Sequence, residues 1–191
     1  MKRLLTFLLL IFVVLLSACN SLNISTKQPT NPDNSAQSQL QIVTLDENIK
    51  IAAGETLYVP VYSHIYYEDQ EKVLNLAATL SLRNTDFINP IIITSVQYYD
   101  SSGKLIKQYL EQPIQLSAMA STDFVVRRND TSGGVGANFI VEWVAEKEVS
   151  EPVIEAVMIG AESTQGISFV SSGRVINNQK NSKLSPAKES S

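Results

Sequence analysis

Asn138-Phe139-Ile140-Val141-Glu142-Trp143-Val144-Ala145 is the stretch whose reading decides the fold class. Phe139, Val141, Trp143 and Ala145 share one parity, and Ile140, Glu142 and Val144 share the other. That two-residue period belongs to a strand with one buried face, which points Trp143 inward and Glu142 outward. A tryptophan in mid-strand suits the core of an immunoglobulin-like sandwich. The strand is entered from Asn129–Gly136, a loop with three glycines, and left through the charged stretch Lys147–Pro152.

Working outward, the same period recurs. Leu57, Val59, Val61 and Ile65 alternate with Tyr58, Tyr62, His64 and Tyr66. Leu76, Ala78, Leu80 and Leu82 alternate with Asn75, Ala77, Thr79 and Ser81, although a helix from Glu71 to Leu80 is an alternative for this run. Ile91–Tyr99 is rich in β-branched and aromatic residues, and Asp100-Ser101-Ser102-Gly103 turns it back into Lys104–Leu110 as a hairpin. Thr122, Phe124 and Val126 alternate with Asp123, Val125 and Arg127. Val153–Ala161 and Ile167–Ile176 complete the set. Strands of this length with turn residues between them, and no strand–helix alternation, predict an all-β fold. The expectation is an antiparallel immunoglobulin-like β-sandwich of about seven to eight strands.

The ends have a different character. Lys2 and Arg3 precede an apolar run from Leu4 to Leu16, followed by Leu16-Ser17-Ala18-Cys19. This N-terminus resembles the signal peptide and lipobox of bacterial lipoproteins, with cleavage between Ala18 and Cys19 and a lipid on the Cys19 sulfur. The apolar run is short for a spanning helix and typical of a signal h-region. An ordinary cleaved signal, leaving Cys19 as a free thiol, is the alternative. Asn20 in place of aspartate resembles the outer-membrane sorting signal of Gram-negative lipoproteins. The polar stretch that follows cannot bury enough surface to offset the entropy of ordering it. The division expected is a signal peptide over 1–18, a flexible tether over 19–41, the β-sandwich over 42–176 and a disordered tail over 177–191.

Composition sets further bounds. The chain has 191 residues, 44% hydrophobic and 18% charged, with a formal net charge of -4. Cleavage after Ala18 would remove Lys2 and Arg3 and leave it more acidic. That balance lacks the basic footprint of a nucleic-acid binder. The single cysteine, Cys19, leaves the folded part without a disulfide, a thiolate metal site or a thiol nucleophile. The single histidine, His64, excludes any mechanism needing two imidazoles from one chain.

Several stretches carry a family likeness: Leu57-Tyr58-Val59-Pro60-Val61-Tyr62-Ser63-His64-Ile65-Tyr66-Tyr67, Leu82-Arg83-Asn84-Thr85-Asp86, Tyr98-Tyr99-Asp100-Ser101-Ser102-Gly103, Gly136–Trp143 and Gln165–Phe169. Together they resemble an uncharacterised bacterial lipoprotein family, largely cyanobacterial, known as domain of unknown function 3124. The resemblance covers about residues 54–176. It implies a single β-rich domain in the cell envelope and supplies no catalytic residues.

Candidate sites are few. Tyr58, Tyr62, His64 and Tyr66 share a parity and would give one sheet face a stacking platform for a sugar, a quinone or a peptide. The bland reading is that tyrosine suits a half-buried pleated surface. Gly134-Val135-Gly136 looks like part of a nucleotide loop, yet a strand follows where a helix N-terminus is needed, so a mobile hairpin loop is expected. Glu142 and Glu162 are a possible carboxylate pair, with cross-strand ion pairing as the plainer use. His64 with Glu68, Asp69, Met119 or Met158 is a thin metal set. No catalytic residue, metal or cofactor is expected. The partners expected are the membrane, through the Cys19 lipid, and an envelope protein, with oligomeric state left open.

Overall fold

The computed structural model describes residues 41–45, 49–162 and 165–179. The expected signal peptide, Ala18, Cys19, the tether as far as residue 40 and the tail from residue 180 lie outside the described residues. Among those described, every strand pairing is antiparallel and there is no helix, so the expected all-β sandwich is what forms.

One sheet carries, in spatial order, β1 (Gln41–Ile42), β8 (Ile114–Leu116), β6 (Ile91–Tyr99), β10 (Asn138–Ala145), β2 (Ala53–Pro60) and β13 (Arg174–Asn178). The short strand β7 (Leu105–Gln108) also pairs with β6. The second sheet runs β12 (Gln165–Ser172), β11 (Val153–Glu162), β5 (Ala77–Arg83) and β9 (Ser121–Val126). A separate hairpin joins β3 (His64–Tyr67) to β4 (Lys72–Asn75). The thirteen strands among the described residues exceed the seven to eight expected because several are only two to five residues long and two predicted runs, Leu57–Tyr66 and Ile167–Ile176, are each split. Neither sheet closes.

The inner faces meet over one core. Phe139, Val141 and Trp143 of β10 pack there with Val59, Leu80, Leu82 and Met158, all almost fully buried. Full burial of side chains of this size contributes about 1.5 to 3 kcal/mol each. Leu76, Ala78, Leu80 and Leu82 are buried as their alternation predicts, and the helix alternative for residues 71–80 falls to two strands. The polar run at the C-terminus begins later than expected, since Asn177 and Asn178 pair with Thr56 and Glu55.

Two irregularities shape the sandwich. Glu142 faces Ser95 while Trp143 faces Ile93, so Thr94 is an extra residue in β6. This bulge switches the inward parity of β6 from Ile91 and Ile93 to Val96 and Tyr98. The second is Gly173, where the chain leaves β12 and enters β13 in the other sheet. A Cβ there would stand 2.9 Å from the Ile154 carbonyl oxygen, so the corner needs glycine.

The outward face of the large sheet is covered at one end. Ile51, Ile92 and Val144 form a second small core with Val43, Leu45 and Ile49. Val144, placed outward by alternation, is therefore buried, because the segment entering β2 lies across it. No described helix is long and apolar enough to cross a membrane.

Candidate functional site

The tyrosine run does not stay one strand. β2 ends at Pro60, and Ser63 is pinned elsewhere: its N–H donates to the Gly134 carbonyl at 3.0 Å and its Oγ accepts from the Gly134 N–H at 2.8 Å. Beyond it the chain leaves the large sheet and pairs as the β3–β4 hairpin. Tyr58 consequently stays on the outward face of the large sheet, opposite Ile140 and Arg174. His64 and Tyr66 meet edge to face on the hairpin, with ring centroids 5.3 Å apart. Tyr62 lies between the two and packs edge-on against Phe169 at 5.9 Å. The predicted platform thus becomes three separate placements, of which only His64 and Tyr66 touch.

The thin metal set is likewise dispersed. Glu68 is paired with Lys72 at 2.7 Å, and Met158 is fully buried in the core. Among the described residues, no group of three or more histidine, cysteine or acidic side chains is arranged to hold a metal ion. Glu142 is half-buried on the outward face of the large sheet, and burial pushes its carboxyl up from the ordinary value.

The glycine loop expected to be mobile is a latch. Gly134 has φ +77° and exchanges hydrogen bonds with Ser63, while Ser101 Oγ donates to the Gly133 carbonyl and accepts from the Gly136 N–H. A Cβ on Gly133 would overlap the Tyr98 hydroxyl, so this glycine exists for close approach, not for phosphate. The Tyr98 hydroxyl beneath it is buried without a hydrogen-bond partner, and that burial raises its pKa strongly. Burial and then Asp130 push Tyr109 up to about 12.

A cluster that the sequence did not single out as a site gathers at one end of the sandwich. Asn84 is buried, and its amide donates to the carbonyls of Asn89, Leu116 and Ser117. Its Oδ1 accepts from the Asp86 N–H at 2.9 Å. Asp86 in turn accepts from the N–H groups of Ile88, Asn89 and Ser150. Those bonds hold its carboxyl below the ordinary value. The Met119 N–H donates to the Asp86 carbonyl, and Thr85 Oγ1 donates to the Glu151 carbonyl. Three consecutive side chains, Asn84, Thr85 and Asp86, thereby tie together the loops after β5, β8 and β10.

On this frame stand Phe87 and Ile88, 80% and 83% exposed, with Met119 nearby at 58%. Glu146 and Glu151 lie exposed around the same end. Glu55 has its carboxyl raised by burial and then by Glu151; the Trp143 indole N–H pulls the other way without meeting hydrogen-bond geometry. A shallow open cleft of about 160 Å³ lies beside the frame, lined by Asn89, Pro90, Ile92, Gln115, Glu146 and Lys147. That is small against the roughly 300 to 1,000 Å³ of ordinary ligand pockets.

The second sheet has an unusual outward face. Val125, Thr79, Val157 and Val170 stand in register across all four strands. Ile159, two residues along β11 from Val157, extends this row on the same side. Val170, Ile159 and Val125 are 56%, 52% and 44% exposed. The row is uncharged and β-branched throughout.

A family model described as "Protein of unknown function (DUF3124)" matches residues 54–176. The chain belongs to the DUF3124 family. No curated protein matches it. The crystal structure of Thermotoga maritima 1070 is similar at 10% identity and a TM-score of 0.38, over 63% of this chain and 92% of that one. The match to the DUF3124 family takes in both the Asn84–Asp86 frame and the Val125–Val170 row.

Sequence reasoning had partial access to these two features. Asp86-Phe87-Ile88-Asn89-Pro90 sets two large apolar residues between turn formers, which marks an exposed pair. The valine row is harder to see. β11 is apolar on both parities, with Ile154, Ala156 and Met158 buried and Val153 and Ile159 exposed. Such a run reads equally as a strand covered on both sides.

Proposed function

We propose that this protein is a lipid-anchored module of the cell envelope that acts by docking a protein partner, without chemistry of its own. The observation that carries this reading is the uncharged row of Val125, Val157, Val170 and Ile159 on the outward face of the four-stranded sheet. Contiguous exposed apolar surface rimmed by polar residues marks an interaction site. A flat pleated row of β-branched side chains suits the apolar face of another folded protein. Asp123 and the Arg83–Glu155 ion pair, closed at 3.4 Å, share this face along one flank and give the row a polar rim.

The anchor supplies the rest of the mechanism. Leu16-Ser17-Ala18-Cys19 supports acylation at Cys19, and Asn20 after it supports an address on the outer membrane, facing the periplasm in a Gram-negative envelope. Confinement to a thin layer raises the effective concentration for other membrane-bound proteins, so that a modest face suffices. The outer edges of β12 and β9 also leave backbone groups open to strand addition.

The test is crosslinking of the native lipoprotein in its membrane, with wild type, Val170→Asp and Cys19→Ser compared. A partner adduct that weakens at least tenfold in Val170→Asp, and falls in Cys19→Ser, is the expected result. An adduct indifferent to Val170→Asp sinks the sheet-face reading, and an adduct composed of two copies of this chain replaces the partner with self-association.

A further inference from the structure

The end of the sandwich that carries Phe87 and Ile88 has properties that a protein-docking face on the second sheet does not account for. These two side chains are the most exposed large hydrophobics among the described residues, at 80% and 83%. They are neighbours on a loop tip, so they project as a wedge instead of lying in a flat patch. Their backbone is not free to fold them away: the N–H of Ile88 and the N–H of Asn89 are both held by Asp86 Oδ1, at 2.9 and 2.7 Å. Asp86 is itself bonded to Asn84, whose side-chain amide grips the chain at Leu116 and Ser117. Apolar side chains this exposed on an ordered, hydrogen-bonded frame gain almost nothing from folding in water and would gain on transfer to a less polar medium.

The strand directions say which medium lies nearby. β1 pairs antiparallel with β8, Gln41 with Gln115 and Ile42 with Ile114, and Leu116 pairs with Ile91 just after the tip loop. The chain therefore enters the domain from the Leu116 side, the same end as Phe87 and Ile88. Ile42, 63% exposed, stands beside this entry. About twenty residues separate Gln41 from Cys19, a span of at most about 75 Å when fully extended. A membrane anchor at Cys19 would join the domain at this end.

We infer that Phe87 and Ile88 form a bilayer-contacting tip, which inserts at the lipid interface and sets the domain upright with its four-stranded face turned along the membrane. This inference rests on the lipid anchor proposed above. Asp86, Glu146 and Glu151 outnumber Lys147 around the tip, which makes a zwitterionic surface the better substrate and an anionic one the poorer.

The chain's single cysteine gives a clean test with the full-length lipoprotein. Ile88→Cys, and Leu105→Cys at the opposite end beside Tyr99, are each labelled with an environment-sensitive fluorophore and reconstituted in phosphatidylcholine vesicles. Wild type runs in parallel, since an acylated Cys19 offers no thiol. The expected result is an unlabelled wild type, with several-fold brighter, blue-shifted emission at position 88 that brominated acyl chains quench, and water-like emission at position 105. Replacing part of the phosphatidylcholine with phosphatidylglycerol should lessen the effect at position 88. Water-like emission at both positions overturns the tip while leaving the anchor intact. A blue shift at position 88 without quenching by brominated lipid identifies a protein contact and overturns the bilayer as occupant. Label on wild-type Cys19 overturns the anchor and the tip with it.

Discussion

The two sheets of this sandwich share one core but turn different outward faces to their surroundings. The outward face of the large sheet carries Tyr58, Gln97, Ile140 and Glu142, and at its Ile92 and Val144 end Val43, Leu45 and Ile49 cover it. The outward face of the four-stranded sheet carries Val125, Val157, Ile159 and Val170 and is left exposed. An apolar outward position on one sheet is thus a second core, and on the other an available surface. The difference lies in what chain happens to cross above it, and it separates residues that hold the fold from residues left exposed.

Four substitutions or conditions put this contrast under strain. The largest effect is expected at the covered face: Val144→Asp buries an unpaired carboxylate and should cost more than about 3 kcal/mol by urea denaturation. An effect below 1 kcal/mol would mean that the covering segment is loosely held, and that the two faces are alike. Next is the frame beneath the exposed tip. Asn84→Ala leaves three carbonyls without their donor and should cost about 2 to 3 kcal/mol in the same assay.

Acid probes that frame more gently. Asp86 has a carboxyl below its ordinary value of 3.8, held there by the N–H groups of Asn89, Ile88 and Ser150. A lowered carboxyl gives stability that is complete above the ordinary value and is lost as pH falls through the lowered one. Below pH 3.8 the amides of Ile88 and Ser150 should therefore lose hydrogen-exchange protection, and Asp86→Asn should abolish that acid dependence. An unchanged acid profile in Asp86→Asn would remove Asp86 from the frame. The smallest effect on stability belongs to the open face, where Val170→Asp should shift the urea midpoint by the equivalent of about 0.5 kcal/mol or less. A large loss there would show that the row is structural.

Much of the fold was legible because period-two alternation is a local property. Phe139, Val141, Trp143, Leu80, Leu82, Phe124 and Val126 are all inward as their parity predicts. The Asp100–Gly103 turn was equally readable, since Asp100 bonds forward to Ser102 and Lys104 and Gly103 takes φ +82°. The errors came where a distant residue intervenes. Nothing local to Tyr58–Tyr66 tells of Gly134, seventy residues on, whose bonds to Ser63 divide the aromatic run. Nothing in Ile91–Tyr99 reveals that Thr94 is a bulge, which depends on the register of β10.

By itself, the sequence determined the chemical limits and the class of fold. A chain with one cysteine and one histidine, alternating apolar residues and no strand–helix rhythm has few ways to bury its surface, and an antiparallel sandwich is one of them. Tertiary structure alone decided which apolar residues are covered and which loops meet. Val144 and Val170 are the same side chain, each outward on a strand, and only the packing of Val43, Leu45, Ile49 and Ile51 makes one of them core. Burial depends on what the rest of the chain places above a residue, and that is a property of the whole packing, to which local pattern has no access.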